Sequence, residues 1–267
     1  SPRAMRMAEG LNFAPEYMSR PSSAFSDRHR LLFSRETSAA MFGQMAQAAG
    51  YPTCCTGEDC LPRIMRDTRQ VEEMAREARG RDFEGIVLKA IYGSSGRGIR
   101  MIRHAAPSSS DLAWAKAMIK SQGCIECEFL LSKASDFSMQ YDIADGKAKF
   151  RGASLFSANS FGAYERSLAG GISEIPGLSY VSISQLAAMH IRALQNSEYC
   201  KIYHGPLGID CMTYSRMGSM MLNPCVEVNC RHSMGRLALE LGPLIADGSQ
   251  AYFHVFRKDM AGAEFSQ

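Results

Sequence analysis

Two alternating runs, Phe137–Ile143 and Lys149–Phe156, flank the dipeptide Asp145-Gly146. Asp-Gly tolerates positive φ at both central positions and so matches the twist of antiparallel strands, which predicts a β-hairpin here. Leu207–Tyr214 and Met221–Cys230 repeat the pattern. Helical periodicity is interleaved with these hairpins. One helix is expected from Ser26, with Leu32, Phe33, Ala39, Ala40 and Phe42 recurring, a cap at Ser26 or Asp27, and Gly50 and Pro52 at its end. Others are expected over Asp67–Arg79, Asp111–Lys120 and 182–196, and from Met234 onward. Gly85–Ile91, Ile99–Ile102 and Cys124–Leu131 read as further strands. Hairpins among helices imply an α+β fold with largely antiparallel sheets, not a doubly wound parallel one.

With 46% hydrophobic and 21% charged residues, the 267-residue chain can bury one large core or two small ones. Its net charge of +3 is too small to argue for nucleic acid. Of 22 arginines, 15 precede residue 104, but 12 acids dilute them and they lack a regular interleaving with aromatic residues, so a nucleic-acid module is disfavoured. No apolar run is long enough for a transmembrane helix, and the opening residues carry no pattern from which a secretory leader is expected. The nine cysteines are scattered; Cys124-Ile-Glu-Cys127 lacks the second pair that a zinc site needs. Reduced, buried thiols and a cytoplasmic location are the expectation.

Gly93-Ser94-Ser95-Gly96-Arg97-Gly98 joins two strands, four residues after Lys89. Such a loop can turn backbone N–H groups toward an anion, with a lysine on the leading strand to neutralise it. It is not a P-loop, because Ile99-Arg100 follows the last glycine, nor a dinucleotide fingerprint, because a strand follows. A plain hairpin loop is the alternative. On the second C-terminal strand, Glu227, Asn229 and Arg231 alternate with Val226, Val228 and Cys230, and Asp210 sits on the preceding strand. Two carboxylates and an amide oxygen form a hard, all-oxygen set suited to Mg²⁺. A solvated strand face is the competing reading.

Lysine, glycine-rich loop, paired acids and Asp…Glu-x-Asn, in this order from Tyr51 to Leu241, resemble the ATP-grasp superfamily. The resemblance implies two α+β subdomains enclosing a nucleotide cleft. Residues 1–50 would be an N-terminal irregular segment and helix, 51–127 a small lid subdomain, and 128–267 a larger subdomain with the metal ligands. It places Lys89 on the α-phosphate and Gly93, Ser94, Ser95, Gly96 and Gly98 over the β- and γ-phosphates. Glu128 falls on the hinge strand beside the adenine, and Asp136 on the ribose hydroxyls. Asp210, Glu227 and Asn229 would hold two Mg²⁺ ions, with Glu227 bridging, and Arg231 would hold the transferred phosphate or substrate carboxylate. Many members carry an arginine two residues before the metal aspartate; Gly208 stands there, so Arg151, Lys149 or Arg231 would supply that charge. The family's usual N-terminal domain is longer than residues 1–50.

The activity so implied is ATP-dependent activation of a small-molecule or peptide carboxylate as an acyl phosphate, attacked by an amine. Alternatives are phosphotransfer to a hydroxyl and a non-catalytic ATP-binding module. No nucleic-acid or membrane partner is expected, and a homodimer is open beside the monomer. Phe161–Arg166 reads as a packed turn or a substrate loop, and His190 as a core histidine; His104, His204 and His232 have no required role.

Overall fold

The computed structural model describes residues 27–93, 98–103, 106–159, 164–246 and 249–254. Helix α1 (Asp27–Leu31) ends in a turn, and Ser34 caps a separate helix α2 (Arg35–Ala46). The single helix expected from Ser26 is therefore broken: Leu32, Phe33 and Ser34 donate back to residues 29–31 as turns, and the Ser34 hydroxyl accepts from Glu36 N. A short strand β1 (Arg63–Met65) precedes α3 (Thr68–Gly80), which opens with a reciprocal Asp67–Gln70 cap and buries Val71, Met74, Ala75 and Ala78. Then come β2 (Gly85–Ala90), β3 (Ile99–Arg103), α4 (Ser109–Gln122) and β4 (Ile125–Phe129). Gly123, at φ 88°, ends α4 in the left-handed region.

These four strands form an antiparallel sheet in the order β1-β4-β2-β3, with α3 and α4 packed on one face. Ile86, Leu88, Ile125 and Cys127 point into that small core, so period-2 alternation leaves Val87, Lys89, Glu126 and Glu128 on the other face.

The second sheet begins with β5 (Ser132–Ala144) and β6 (Lys147–Ala158), joined by Asp145 and Gly146 at φ 50° and 74°. Strand β7 (Tyr164–Leu168), α5 (Ile183–Asn196), α6 (Glu198–Ile202), β8 (Gly205–Arg216), β9 (Ser219–Asn229), α7 (Met234–Leu241) and β10 (Tyr252–His254) follow. The sheet order is β10-β7-β6-β5-β8-β9, antiparallel throughout. Its inner face (Phe137, Met139, Tyr141, Leu207, Ile209, Val228) packs with α2 and α5 in the main core. Its other face carries Asp136, Ser138, Gln140, Asp210 and Glu227.

Several expectations need correction. Tyr164 begins a strand, not a turn, and its hydroxyl donates to Ser167; Phe161, at the start of that stretch, lies outside the described residues. β1 and β10 were too short to read. The chain passes between sheets at Leu130–Leu131, a little beyond the boundary expected after residue 127. Residues 54–56 belong with the large sheet: Leu222 N donates to the Cys54 carbonyl and Thr56 N to the Leu222 carbonyl, both at 2.8 Å. All nine cysteines are free, and all but the half-buried Cys54 are buried. No helix among the described residues is long and apolar enough to cross a membrane.

Candidate nucleotide and metal site

A cleft of about 510 Å³ lies between the exposed faces of the two sheets. Its small-sheet wall holds Lys89, buried at 5% exposure. Glu126 is directly opposite on β4, and Glu128 is two residues on along the same face. The Lys89 Nζ lies 2.6 Å from Glu128 Oε2 and 3.5 Å from Glu126 Oε1. Burial pulls this lysine's pKa down, but Glu128 and Glu126 outweigh it and hold the ammonium above its ordinary range.

Arg35, which the sequence did not single out, completes the cation set. As the first residue of α2 it is tied to the end of β2 by its backbone N–H, which donates to the Ile91 carbonyl at 3.1 Å. Its buried guanidinium reaches across the cleft, 3.1 Å from Glu227 Oε1 on the large sheet and 3.9 Å from Glu126 Oε1 on the small one. The Arg35 Nε is buried with no hydrogen-bond partner. The burial penalty on this arginine is likewise overcome, chiefly by Glu227 and then Glu126.

On the large sheet Asp210 and Glu227 are direct cross-strand partners, which sets their Cα atoms roughly 4.5–5.5 Å apart. Asp210 accepts from the Ser138 hydroxyl at 2.8 Å and from the Asn229 amide nitrogen at 2.9 Å. Ser138 in turn accepts from Gln140, and Gln140 from Ser233, each at 2.8 Å, so a chain of hydrogen bonds holds the carboxylate from beneath. Burial, then repulsion from Glu227, pushes Asp210 up to about 6, against the Ser138 hydrogen bond, the Arg231 charge and the Asn229 hydrogen bond. The Asn229 Oδ1 is buried with no partner. An orphaned amide oxygen on the residue that binds Asp210, together with the paired carboxylates of Asp210 and Glu227, is the kind of donor set a hard divalent cation takes, so the residues fit Mg²⁺. Among the described residues no group of three His, Cys, Asp or Glu side chains forms a ready metal cluster.

Asp136 lines the cleft and is paired with Lys133 at 2.6 Å; burial raises its pKa and Lys133 opposes that. Leu130 and Leu131 line the same cleft where the chain crosses between sheets. Of the glycine-rich loop, Ser94, Ser95 and Gly96 lie outside the described residues. Gly93 and Gly98 bound it, and Ala90 N donates to the Gly98 carbonyl at 2.8 Å.

Two predicted arginines stand elsewhere. Strand β9 ends at Asn229, so Arg231 does not continue its alternation; it lies exposed in a bend and does not line the cleft, although its charge is felt at Asp210. Arg151 sits opposite the β5 irregularity between Gln140 and Tyr141 and pairs with Asp142, which also accepts from Arg236 at 2.9 Å. Lys149 is exposed on the same strand. His190 is fully buried in the core, His232 is exposed, and His104 lies outside the described residues.

By sequence the chain matches no protein-family model and no curated protein. By structure it is similar to N5-carboxyaminoimidazole synthetase from Staphylococcus aureus complexed with ADP. That match has a TM-score of 0.51 and 11% identity, covering 77% of this chain and 46% of that one. The biotin carboxylase domain of Hydrogenobacter thermophilus 2-oxoglutarate carboxylase, with MgADP, ADP and bicarbonate, matches at TM-score 0.53 and 17% identity, over 77% and 41% of the chains. Pyruvate carboxylase from Rhizobium etli matches at 0.53 and 21%, over 80% and 17%. The chain thus spans less than half the length of each. The α+β fold is that of the ATP-grasp superfamily.

Proposed function

We propose that this chain binds ATP with Mg²⁺ between its two sheets and uses it to activate a carboxylate for attack by an amine. The observation that carries the reading is the meeting of two buried cations, Lys89 and Arg35, with Asp210 and Glu227 across one cleft, Asn229 being hydrogen-bonded to Asp210. A polyphosphate supplies the negative charge that such cations accept, and Arg35 and Lys89 are its two anchors. Residues 93–98 cover the β- and γ-phosphates. The backbone from Glu128 to Leu131 faces the adenine, and Asp136 takes the ribose hydroxyls. Asp210, Glu227 and Asn229 Oδ1 would hold Mg²⁺, two ions sharing Glu227. When bound, magnesium neutralises phosphate charge and draws the phosphoryl oxygens into line.

The chemistry left to the protein is positioning and charge. The substrate carboxylate attacks the γ-phosphorus and ADP leaves; the amine then attacks the acyl carbon, phosphate leaves, and the amine's proton passes to solvent. Arg231 lies outside the cleft lining, although its charge is felt at Asp210, and would serve the incoming carboxylate only on turning into the cleft; Arg151 would serve only on leaving Asp142. A homodimer belongs to the same proposal, since the compared biotin carboxylase domain is a dimer. Nine free thiols suit a reducing compartment such as the cytoplasm.

The test is ADP release with ATP and Mg²⁺ across a panel of carboxylic acids, with hydroxylamine as amine. Acid-dependent ADP release together with a hydroxamate supports the ligase reading. ADP with a stable phosphate ester points to hydroxyl phosphotransfer, and nucleotide binding without release to a binding module.

A further inference from the structure

Glu126 has no part in the site as assigned above and does not line the cleft, yet at 1% exposure it is buried opposite Lys89, on the face of β4 that carries Glu128. Its Oε1 lies 3.5 Å from Lys89 and 3.9 Å from Arg35 and accepts no hydrogen bond. Each cation has a nearer partner: Glu128 at 2.6 Å for Lys89, and Glu227 at 3.1 Å for Arg35. Glu126 therefore stands between two cations that it shares and fully owns neither. The groups that feel its charge come from every side: Lys89 on β2, Arg35 on α2, Glu128 on its own strand, Cys225 on β9 and Tyr199 on α6. With Glu227, the cluster holds three acids against two cations.

We propose that Glu126 is an internal anion that competes with the nucleotide's phosphates for Lys89 and Arg35, sets the affinity of the site, and takes up a proton from water when the nucleotide binds. The inference rests on the nucleotide reading above. Phosphate oxygens draw both cations toward the cleft and leave Glu126 buried without compensation, which costs more than burying the neutral acid. The added proton has a place to go: Glu128 Oε1 is buried without a donor, and a protonated Glu126 on the same face of β4 can donate to it. Even with both cations in place, burial holds the Glu126 carboxyl above the usual carboxylate range, so little further change neutralises it.

The experiment is calorimetric titration with ADP in EDTA, which keeps divalent metal out of the measurement. It is run above pH 8, where ADP carries its full charge, in two buffers of different ionisation enthalpy. The wild-type protein is expected to take up a measurable fraction of a proton per ADP, and its affinity to fall as pH rises further. Glu126→Gln is expected to abolish the uptake and to bind ADP about tenfold tighter, because the internal competitor is gone. Glu126→Ala gives a second reading should the glutamine variant misfold, and the wild-type measurement needs no variant. ADP binding without proton uptake overturns the inference while leaving the nucleotide reading intact, as does Glu126→Gln with unchanged affinity and uptake. No binding of ADP or of MgATP removes both.

Discussion

His190 Nε2 donates to the Pro224 carbonyl at 2.7 Å, fixing a helix of the core to the point where strand β9 bulges. The bulge lies where β8 passes from Asp210 to Met212 while β9 passes from Glu227 back to Asn223. Extra residues on one strand re-aim the side chains beyond them, here the turn that presents Glu227 to the cleft. The other ring nitrogen, Nδ1, accepts from the Tyr141 hydroxyl, also at 2.7 Å, so the imidazole is held neutral in one tautomer.

Burial lowers His190 to about 4 from an ordinary 6.5, with the Pro224 carbonyl opposing. Between those values the unfolded chain binds the proton and the folded one does not. Stability is therefore full above pH 6.5 and lost as pH falls toward 4, by up to about 3 kcal/mol. Denaturant unfolding of wild type and His190→Gln across that range should show the two curves converging at the acid end. Parallel curves would assign the acid sensitivity to other groups.

Lys89→Met removes a cation from between two buried acids. The variant should unfold more easily, since uncompensated buried carboxylates are costly. It should also weaken ATP binding by roughly 1.5–3 kcal/mol, the scale of a charge-assisted hydrogen bond. Calorimetry alongside thermal unfolding separates the two effects; unchanged affinity in a folded variant would remove Lys89 from the phosphate site.

Glu227→Gln keeps an oxygen within reach of Arg35 and removes the charge facing Asp210. Relief of the repulsion on Asp210 is set against the loss of the charge that chiefly offsets the burial of Arg35, so the folded protein should be somewhat less stable while remaining folded. Magnesium-dependent ADP release should disappear. Both readings come from one preparation, by thermal unfolding and by coupled ADP assay.

Gly235 opens α7 against the large sheet so closely that a β-carbon there would lie 2.5 Å from Ser154 Oγ and 2.6 Å from Gln140 Nε2. Gly235→Ala should destabilise by about 1–3 kcal/mol, as over-packing does. By displacing Gln140 it should also loosen the chain of hydrogen bonds that ends on Asp210. The expected signature is a higher Mg²⁺ requirement for ADP release at unchanged ATP affinity; wild-type magnesium dependence would argue that α7 yields without disturbing Gln140.

The features legible in the sequence are those set by neighbours along the chain. Asp145-Gly146 dictates its hairpin locally, and strand alternation is enough to put Asp210 and Glu227 on one face. Arg35 was invisible because nothing near it in sequence marks it: its partners Glu126 and Glu227 arrive from strands far along the chain, and only the Ser34 cap and the tie to Ile91 aim it. Arg231 was misplaced for the converse reason. Alternation was carried past Asn229, where the ladder ends, into a bend followed by the Ser233-capped helix. The bulge at Pro224 was equally hidden, since the ring that holds it lies on α5.

Residues 54–56 lie along Leu222 on β9, the outermost strand of the six. An uncovered outer strand is a template on which another chain can grow, and this one carries Glu227, a proposed metal ligand. By donating and accepting at Leu222, Cys54 and Thr56 act as a stitch in that selvedge: they use up the two backbone groups that Leu222 would offer a foreign strand. A truncation starting after residue 56 would keep every proposed ligand except Arg35, yet it would bare that margin and favour aggregation before catalysis could be assayed.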